Sequence, residues 1–271
     1  MELGVCTGPP SAERAARLAS AGCEYYEPSV AGAVMVAGRD AFTAGIGEWS
    51  RGALAPRAAN VLLPGDLAVV GEERDGERLA GYLAEAFRRA HELGLERVVF
   101  GSGTARNVPE GFDRDEARRQ FADALRLAAA DAKDAVESAG GGGEMLVCLE
   151  HLRRAETNLV NSLAEAGELA EEIGVASLVL VVDGYHLEEE GEDPAVVRRF
   201  APLVRHVHVC GSGRVPPRPQ DGERLRALFG ELAAIGYEGR CSIECRWTDI
   251  DEEAPAALAV VRAAAEATGL A

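Results

Sequence analysis

The feature that most constrains this chain is a repeated alternation of short apolar runs, each long enough for one strand, with stretches rich in Ala, Leu, Glu and Arg. Eight runs stand out: 2–6 (ELGVC), 23–29 (CEYYEPS), 57–63 (RAANVLL), 97–102 (RVVFGS), 145–150, 177–183, 204–210 and 240–245. Helix-like stretches fall between them at Ser11–Ala21, Asp75–Leu93, Arg114–Ser138, Ser162–Ile173, Gln220–Ile235 and Glu253–Ala267. Strands separated by helices pair in parallel and need cover on both faces, so the pattern predicts an α/β fold. At 271 residues the length matches a single (β/α)8 barrel over 1–271, which takes about 250 residues. The third run is the weakest, because Pro56 precedes it and residues 31–52 lack a helical pattern; without it the count is seven. The four glycines Gly140–Gly143 read as a slack connector on the face where helices return to strands.

Charge excludes several functions. The net charge of -17 repels nucleic-acid phosphates and anionic lipid, so neither nucleic acid nor membrane is an expected partner. With no signal-like opening and no run near the roughly 20 apolar residues that span a bilayer, the expected location is cytoplasmic. The 6 cysteines show no CxxC spacing and mostly sit inside strand-like runs, which suits a reducing compartment. The one lysine, Lys133, lies in a helical stretch, so no strand supplies a Schiff-base amine.

Four chemically distinctive residues end the last four strands: Glu150, Asp183, His208 and Glu244. In a parallel barrel these ends share one mouth, where catalytic groups gather. Four such groups together would be costly to desolvate unless a cation neutralised them, whereas one alone would read as a cap or an ion pair. Three carboxylates and one imidazole suit a hard or borderline divalent ion: manganese, magnesium or cobalt in preference to structural zinc. Side chains two apart share a face, placing Cys148, Val181, His206 and Ser242 one layer deeper, in a layer expected to be mainly small or apolar. His206 is then expected to be a hydrogen-bonded core imidazole, and His91 structural.

The segments LEHLRRAETNLVNS from Leu149, DGYH from Asp183, HVHVCGSGR from His206 and SIE from Ser242 also carry a resemblance. With them the chain resembles the xylose isomerase-like TIM barrels, and within those the ketose 3-epimerases. The N-terminal half is similar only in outline, through GVCTG, YYEPSVAG, LLPGD and FGSGTARNVPEGF. The resemblance implies that Glu150, Asp183, His208 and Glu244 bind one divalent metal, manganese foremost, with magnesium, cobalt or zinc as alternatives. It implies that Glu150 and Glu244 are the catalytic acid–base pair, and that Glu156, His186 and Arg214 hold substrate hydroxyls. It further implies a metal-dependent isomerase or epimerase of a sugar, sugar phosphate or polyol-ketone, working through an enediolate, and association into homo-oligomers.

Two departures bear on the substrate. The aromatic residues that the resemblance would place after the first and fourth strands are missing; Cys6 ends the first, and Arg106 and Asn107 follow the fourth. Arg106 is a candidate for gripping a phosphate or carboxylate, with Arg153, Arg154 and Arg246 near the same mouth, although a chain whose basic residues are nearly all arginine will place some in loops regardless. Trp247 either walls the site or packs in the core. Glu27 either lines the pocket or pairs with a neighbouring loop, and Glu188–Asp193 reads as a solvated loop and helix start. Three other functions compete with the leading one. A lyase of the inosose dehydratase type would use the same metal. An apurinic endonuclease would need more than 5 histidines and a basic track, and a non-catalytic barrel has no use for the quartet.

Overall fold

Runs such as LVLVV have no polar face to show to water, so they fold only where both faces are covered. In the computed structural model, which describes residues 1–50 and 53–270, the runs form β1 (Glu2–Cys6), β2 (Tyr25–Glu27), β3 (Ala58–Ala59), β4 (Arg97–Phe100), β5 (Leu146–Glu150), β6 (Leu178–Asp183), β7 (Val204–Val209) and β8 (Arg240–Ile243). The helices are α1 (Ala12–Ser20), α2 (Arg39–Gly45), α3 (Gly76–Glu92), α4 (Arg114–Ser138), α5 (Leu163–Ile173), α6 (Gly184–Glu190), α7 (Gly222–Ala234) and α8 (Ile250–Glu266). Short polar side chains start them: Ser11, Asp75, Asp113 and Ser162 each accept a backbone N–H at the N-terminus of α1, α3, α4 and α5.

All strand pairs are parallel, in the order β2-β1-β8-β7-β6-β5-β4-β3. Single parallel bridges from Tyr26 to Pro56 and from Ser29 to Asn60 join the two ends of that order and bring the sheet close to a closed cylinder. The expected eight-stranded barrel is therefore present. β3 is cut to two residues because Pro56 has no N–H to give the ladder. The seam is carried instead by the Val30 N–H to the Asn60 carbonyl (2.8 Å) and the Asn60 N–H to the Pro28 carbonyl (3.0 Å). The stretch expected to lack helix contains one π turn (Val30–Val34) and the short α2, and its last two positions, 51 and 52, lie outside the described residues.

The barrel interior differs from expectation on one side. Val99, Leu146, Cys148, Val179 and Val181 form a separate apolar cluster under β4, β5 and β6, as the small-or-apolar layer required. Under β2, β7 and β8 the filling is polar: Tyr25, Glu27, His206, His208 and Ser242 are all buried. Gly4 makes room for this side, since a Cβ there would stand 2.4 Å from the Tyr25 ring. The larger apolar core lies outside the barrel wall, between strands and helices.

The acidic stretch after β6 starts a helical turn as expected, Asp193 accepting the Ala195 N–H (2.9 Å), but it is a free loop only in part. Residues 188–190 close α6, and each acid has a partner: Glu188 pairs with Arg224 (3.0 Å), Glu189 with Arg153 (2.7 Å), and Glu190 with Arg154. Glu192 accepts the first N–H groups of α5, from Leu163 (2.7 Å) and Ala164 (3.0 Å). A solvated loop is what the charges suggest alone; unpaired donors at the start of α5 give them other work.

Candidate active site

Each of the four strand-end residues reaches the mouth by a local device. Asp183 ends β6 and caps α6, its Oδ1 accepting the Tyr185 N–H (2.7 Å) and the His186 N–H (3.4 Å), which leaves Oδ2 for the site. His208 lies directly across from Asp183 in the β6–β7 register, and Ser242 across from His208 in the next. Glu150, at the end of β5, extends into space that exists because position 101 is glycine; a Cβ there would lie 2.0 Å from its Oε2. Glu244, just past β8, is held by Asn60 Nδ2 at Oε1 (2.8 Å) and by Arg214 Nη2 at Oε2 (2.5 Å).

One ligand atom from each of Glu150, Asp183, His208 and Glu244 lies within 4.8 Å of the others. His208 Nδ1 stands 3.5 Å from Glu150 Oε1, 3.8 Å from Glu244 Oε2 and 4.0 Å from Asp183 Oδ2. Ligands about 2.1 Å from one octahedral ion are about 3.0 Å apart when adjacent and about 4.2 Å when opposite. The three separations from His208 Nδ1 fall between those two values. Glu150 Oε1, His208 Nδ1 and His186 Nε2 are buried with no hydrogen-bond partner among the described residues. Orphaned buried polar atoms are rare in folded proteins, and here three face one point. Two of these atoms, Glu150 Oε1 and His208 Nδ1, can each offer a lone pair, and with the rest of the donor set they fit a divalent cation.

The electrostatics carry the same message. Burial, then Glu244, pushes the Asp183 carboxyl up to about 6, and burial raises Glu150 as well. Burial also opposes ionisation of Glu244, but His208 and Arg214 outweigh it and hold that carboxyl below its usual range. His208 is driven the other way: burial disfavours its cation, yet Glu27 and Glu244 outweigh burial and raise its pKa well above the ordinary value. A proton on His208 stands in for positive charge that the carboxylates demand.

Beside the quartet, Glu156, His186 and Arg214 come together. Arg214 Nη1 donates to Glu156 Oε1 (3.0 Å) and Oε2 (3.3 Å), and its guanidinium lies 5.2 Å from the Tyr185 ring centroid. Arg214 adopts a left-handed backbone (φ 61°), as do Val61, Ser102 and Val160, so the loops after β3, β4, β5 and β7 all carry strained residues near the mouth. The Arg153 N–H donates to His186 Nδ1 (3.2 Å), which makes Nδ1 the acceptor and puts the imidazole proton on Nε2. That N–H points toward Asp183 Oδ2 (3.7 Å) and Glu150 Oε1 (4.0 Å), where a substrate oxygen would meet it.

Two residues singled out in the sequence sit elsewhere. Arg106 is fully buried, donating from Nη1 to the Glu150 carbonyl (2.8 Å) and from Nη2 to the Val160 carbonyl (3.4 Å), with its guanidinium 5.3 Å from the Phe121 ring centroid. It braces the end of β5 and does not face a substrate anion; sequence position told which loop it occupies and not which way it points. Glu27 meets neither pocket nor loop but His206, His208 and Ser242 inside the barrel. His206 is, as expected, a hydrogen-bonded core imidazole. Trp247 is half-buried and donates from Nε1 to the Cys6 carbonyl (3.2 Å), tying the loop after β8 to the end of β1. Asn60 and Gly101 were missed. Asn60 lies in the middle of the third run, 57–63, so the strand-end rule that finds the quartet passes over it; Gly101 carries no signal beyond a glycine pair.

The model of the xylose isomerase-like TIM barrel family matches residues 59–264. Among curated proteins, the chain is 26% identical over 209 residues to an L-ribulose 3-epimerase of Mesorhizobium japonicum, covering 72% of this chain and 64% of that one. It is 28% identical over 139 residues to a 3-dehydro-D-guloside 4-epimerase of Escherichia coli, covering 51% of this chain and 49% of that one. Both matches thus span less than two thirds of the relative. A crystal structure of a D-psicose 3-epimerase superposes with a TM-score of 0.78 at 16% identity, covering 98% of this chain and 99% of that one.

Proposed function

This chain belongs to the xylose isomerase-like TIM barrel family, and from that premise we propose that it is a metal-dependent isomerase or epimerase of a ketose or closely related keto sugar. The single observation that carries the reading is the convergence of Glu150, Asp183, His208 and Glu244, one atom from each within 4.8 Å, beside Glu156, His186 and Arg214. The names of the two curated relatives given above, an L-ribulose 3-epimerase and a 3-dehydro-D-guloside 4-epimerase, support the substrate class.

Glu150, Asp183, His208 and Glu244 would hold the cation, which supplies charge to polarise two neighbouring substrate oxygens. Glu150 and Glu244, on different strands, would flank the carbon next to the carbonyl. One removes its proton, giving an enediolate, and the other returns a proton to the opposite face for epimerisation. Return to the neighbouring carbon instead yields aldose–ketose isomerisation. His186 Nε2–H and the Arg214 guanidinium would donate to substrate oxygens and Glu156 would accept a hydroxyl, a reading supported by their lying beside the quartet, with Arg214 held by Glu156 and Glu244.

The substrate is read as uncharged. Arg153, Arg154 and Arg214 at the mouth are each neutralised by glutamates, and Arg106 is sealed behind β5. Arg246 is the remaining arginine of that set, exposed and with its side chain donating only to the Gly213 carbonyl (3.3 Å) among the described residues, so a phosphoryl group would meet one cationic side chain there and not a cluster.

Metal-loaded protein incubated in deuterated water with ketoses, 3-keto sugars, ketose phosphates and an inosose tests the proposal. Deuterium entering next to the carbonyl of an unphosphorylated sugar, without loss of water, is the expected outcome, and Glu244→Gln should abolish it. Loss of water to an ultraviolet-absorbing enone would replace the reading with a dehydratase, and turnover of ketose phosphates alone would overturn the uncharged substrate. Exchange into none of them would remove the activity.

A further inference from the structure

The polar side of the barrel interior is built around one carboxylate that the reaction does not touch. Glu27 comes from β2, across the barrel from the quartet's β5 and β6, and is 1% exposed. Its Oε1 meets His208 Nε2 at 3.0 Å and its Oε2 meets His206 Nε2 at 2.9 Å. Ser242 Oγ donates to the same Oε2 at 2.5 Å, and the Tyr25 hydroxyl lies 2.7 Å from Ser242 Oγ. Both carboxylate oxygens are therefore engaged, and the chain Tyr25–Ser242–Glu27 leads straight to the back of His208.

The consequence is geometric. An imidazole nitrogen facing a carboxylate carries its hydrogen, so neutral His208 is protonated at Nε2 and presents a bare lone pair at Nδ1. Nδ1 is the atom that lies 3.5–4.0 Å from Glu150, Glu244 and Asp183 and has no hydrogen-bond partner among the described residues. The His206 ring packs edge to face against the His208 ring on the barrel side, with centroids 4.9 Å apart and planes at 79°. A barrel needing only stability would fill this space with apolar residues, because a buried carboxylate costs more to desolvate than it returns.

We propose that Glu27 is the positioning residue of the metal centre: its carboxylate selects the tautomer and fixes the plane of His208, so that Nδ1 is the ligand atom offered to the cation. This rests on the metal-centre reading above. Ligand-orienting carboxylates of this kind are worth about 10- to 100-fold in metal affinity.

The test is Mn2+ titration calorimetry on the full-length wild type, Glu27→Gln and Glu27→Ala, with far-ultraviolet circular dichroism on each. A second readout is 113Cd–15N coupling in 113Cd-loaded protein carrying 15N-histidine. The expected result is Mn2+ affinity about 10- to 100-fold weaker in Glu27→Ala, with coupling at His208 Nδ1 in the wild type and its loss or transfer to Nε2 in the variant. Glu27→Gln, which keeps one acceptor, should fall between. Where Glu27→Ala does not fold, Glu27→Gln decides. Unchanged affinity and unchanged Nδ1 coupling in a folded variant would overturn the role of Glu27 while leaving the metal centre intact. A wild type that binds no Mn2+ would overturn the metal centre itself, and this role with it.

Discussion

Adding a single methyl group at Gly101 should disable the site from a strand that supplies none of its ligands. A Cβ there would lie 2.0 Å from Glu150 Oε2 and 3.2 Å from its Cδ, while non-bonded carbon and oxygen rarely approach below about 3.0–3.4 Å. The carboxylate must therefore retreat by about 1–1.4 Å, or β4 must move by that much. The Glu150 main chain cannot follow, since Arg106 Nη1 holds the Glu150 carbonyl at 2.8 Å, so the adjustment falls on the side chain that carries the ligand atom. Displacing a reacting or ligating group by about 1 Å costs on the order of 100-fold in rate. Gly101→Ala is thus expected to lower deuterium exchange on the best substrate by about 100-fold and to weaken Mn2+ binding. Its unfolding free energy should fall by no more than about 1–3 kcal/mol, the usual cost of overpacking. Exchange kinetics, titration calorimetry and urea denaturation on one preparation measure all three. A Gly101→Ala protein with wild-type turnover and wild-type Mn2+ affinity would refute the argument, because the Glu150 carboxylate could then not occupy the position on which the centre depends.

Removing Arg106 should be a stability change and not a substrate change. Arg106→Ala takes one donor from the Glu150 carbonyl and one from the Val160 carbonyl, which keeps the Leu152 N–H (3.2 Å), and opens a cavity, so urea denaturation should show a loss of about 3–5 kcal/mol, while Arg106→Met, if folded, should show an unchanged KM ratio between neutral and phosphorylated sugars. Metal removal should destabilise: Mn2+ at 100 times its dissociation constant adds about 2.7 kcal/mol, read as a melting-temperature rise that a chelator reverses. Asp131 in α4 has a buried, unpartnered Oδ2, and burial, then Asp134, lifts its pKa from 3.8 to about 6. The folded state therefore binds this proton more tightly than the unfolded chain, and the resulting destabilisation is absent below about pH 4, grows to about pH 6 and is complete above it. Asp131→Ala should remove that slope and add about 1 kcal/mol at pH 7, the value being discounted for partial exposure; a variant with unchanged pH dependence between 4 and 7 would count against it.

Strand ends were legible because a barrel's connectivity forces them to one place. Glu150, Asp183, His208 and Glu244 each close an apolar run, and right-handed parallel crossovers leave all such closures on one rim. Asn60, which holds Glu244, sits inside the run 57–63 and follows a strand that ends early at Ala59, so the same rule passes over it. Direction was harder to read. Arg106 and Arg214 both follow strands, yet one turns behind the wall and the other into the mouth, and nothing in their local sequence separates them. α6 escaped notice because its start signal, Asp183, was read only as a ligand when its Oδ1 also caps the helix.

Periodicity and length by themselves determined the barrel, and the residue types at its strand ends determined the kind of chemistry a cation would meet there. Both are properties of consecutive residues: burial on two faces sets the composition of a strand, and the turn that follows sets its end. Only the tertiary structure decided that Glu27 serves His208 from 181 positions away, that Gly101 yields its volume to Glu150, and that Arg106 faces inward. Those relations depend on which side chains fill one shared interior at close packing, a condition on the whole cylinder that no single segment can state.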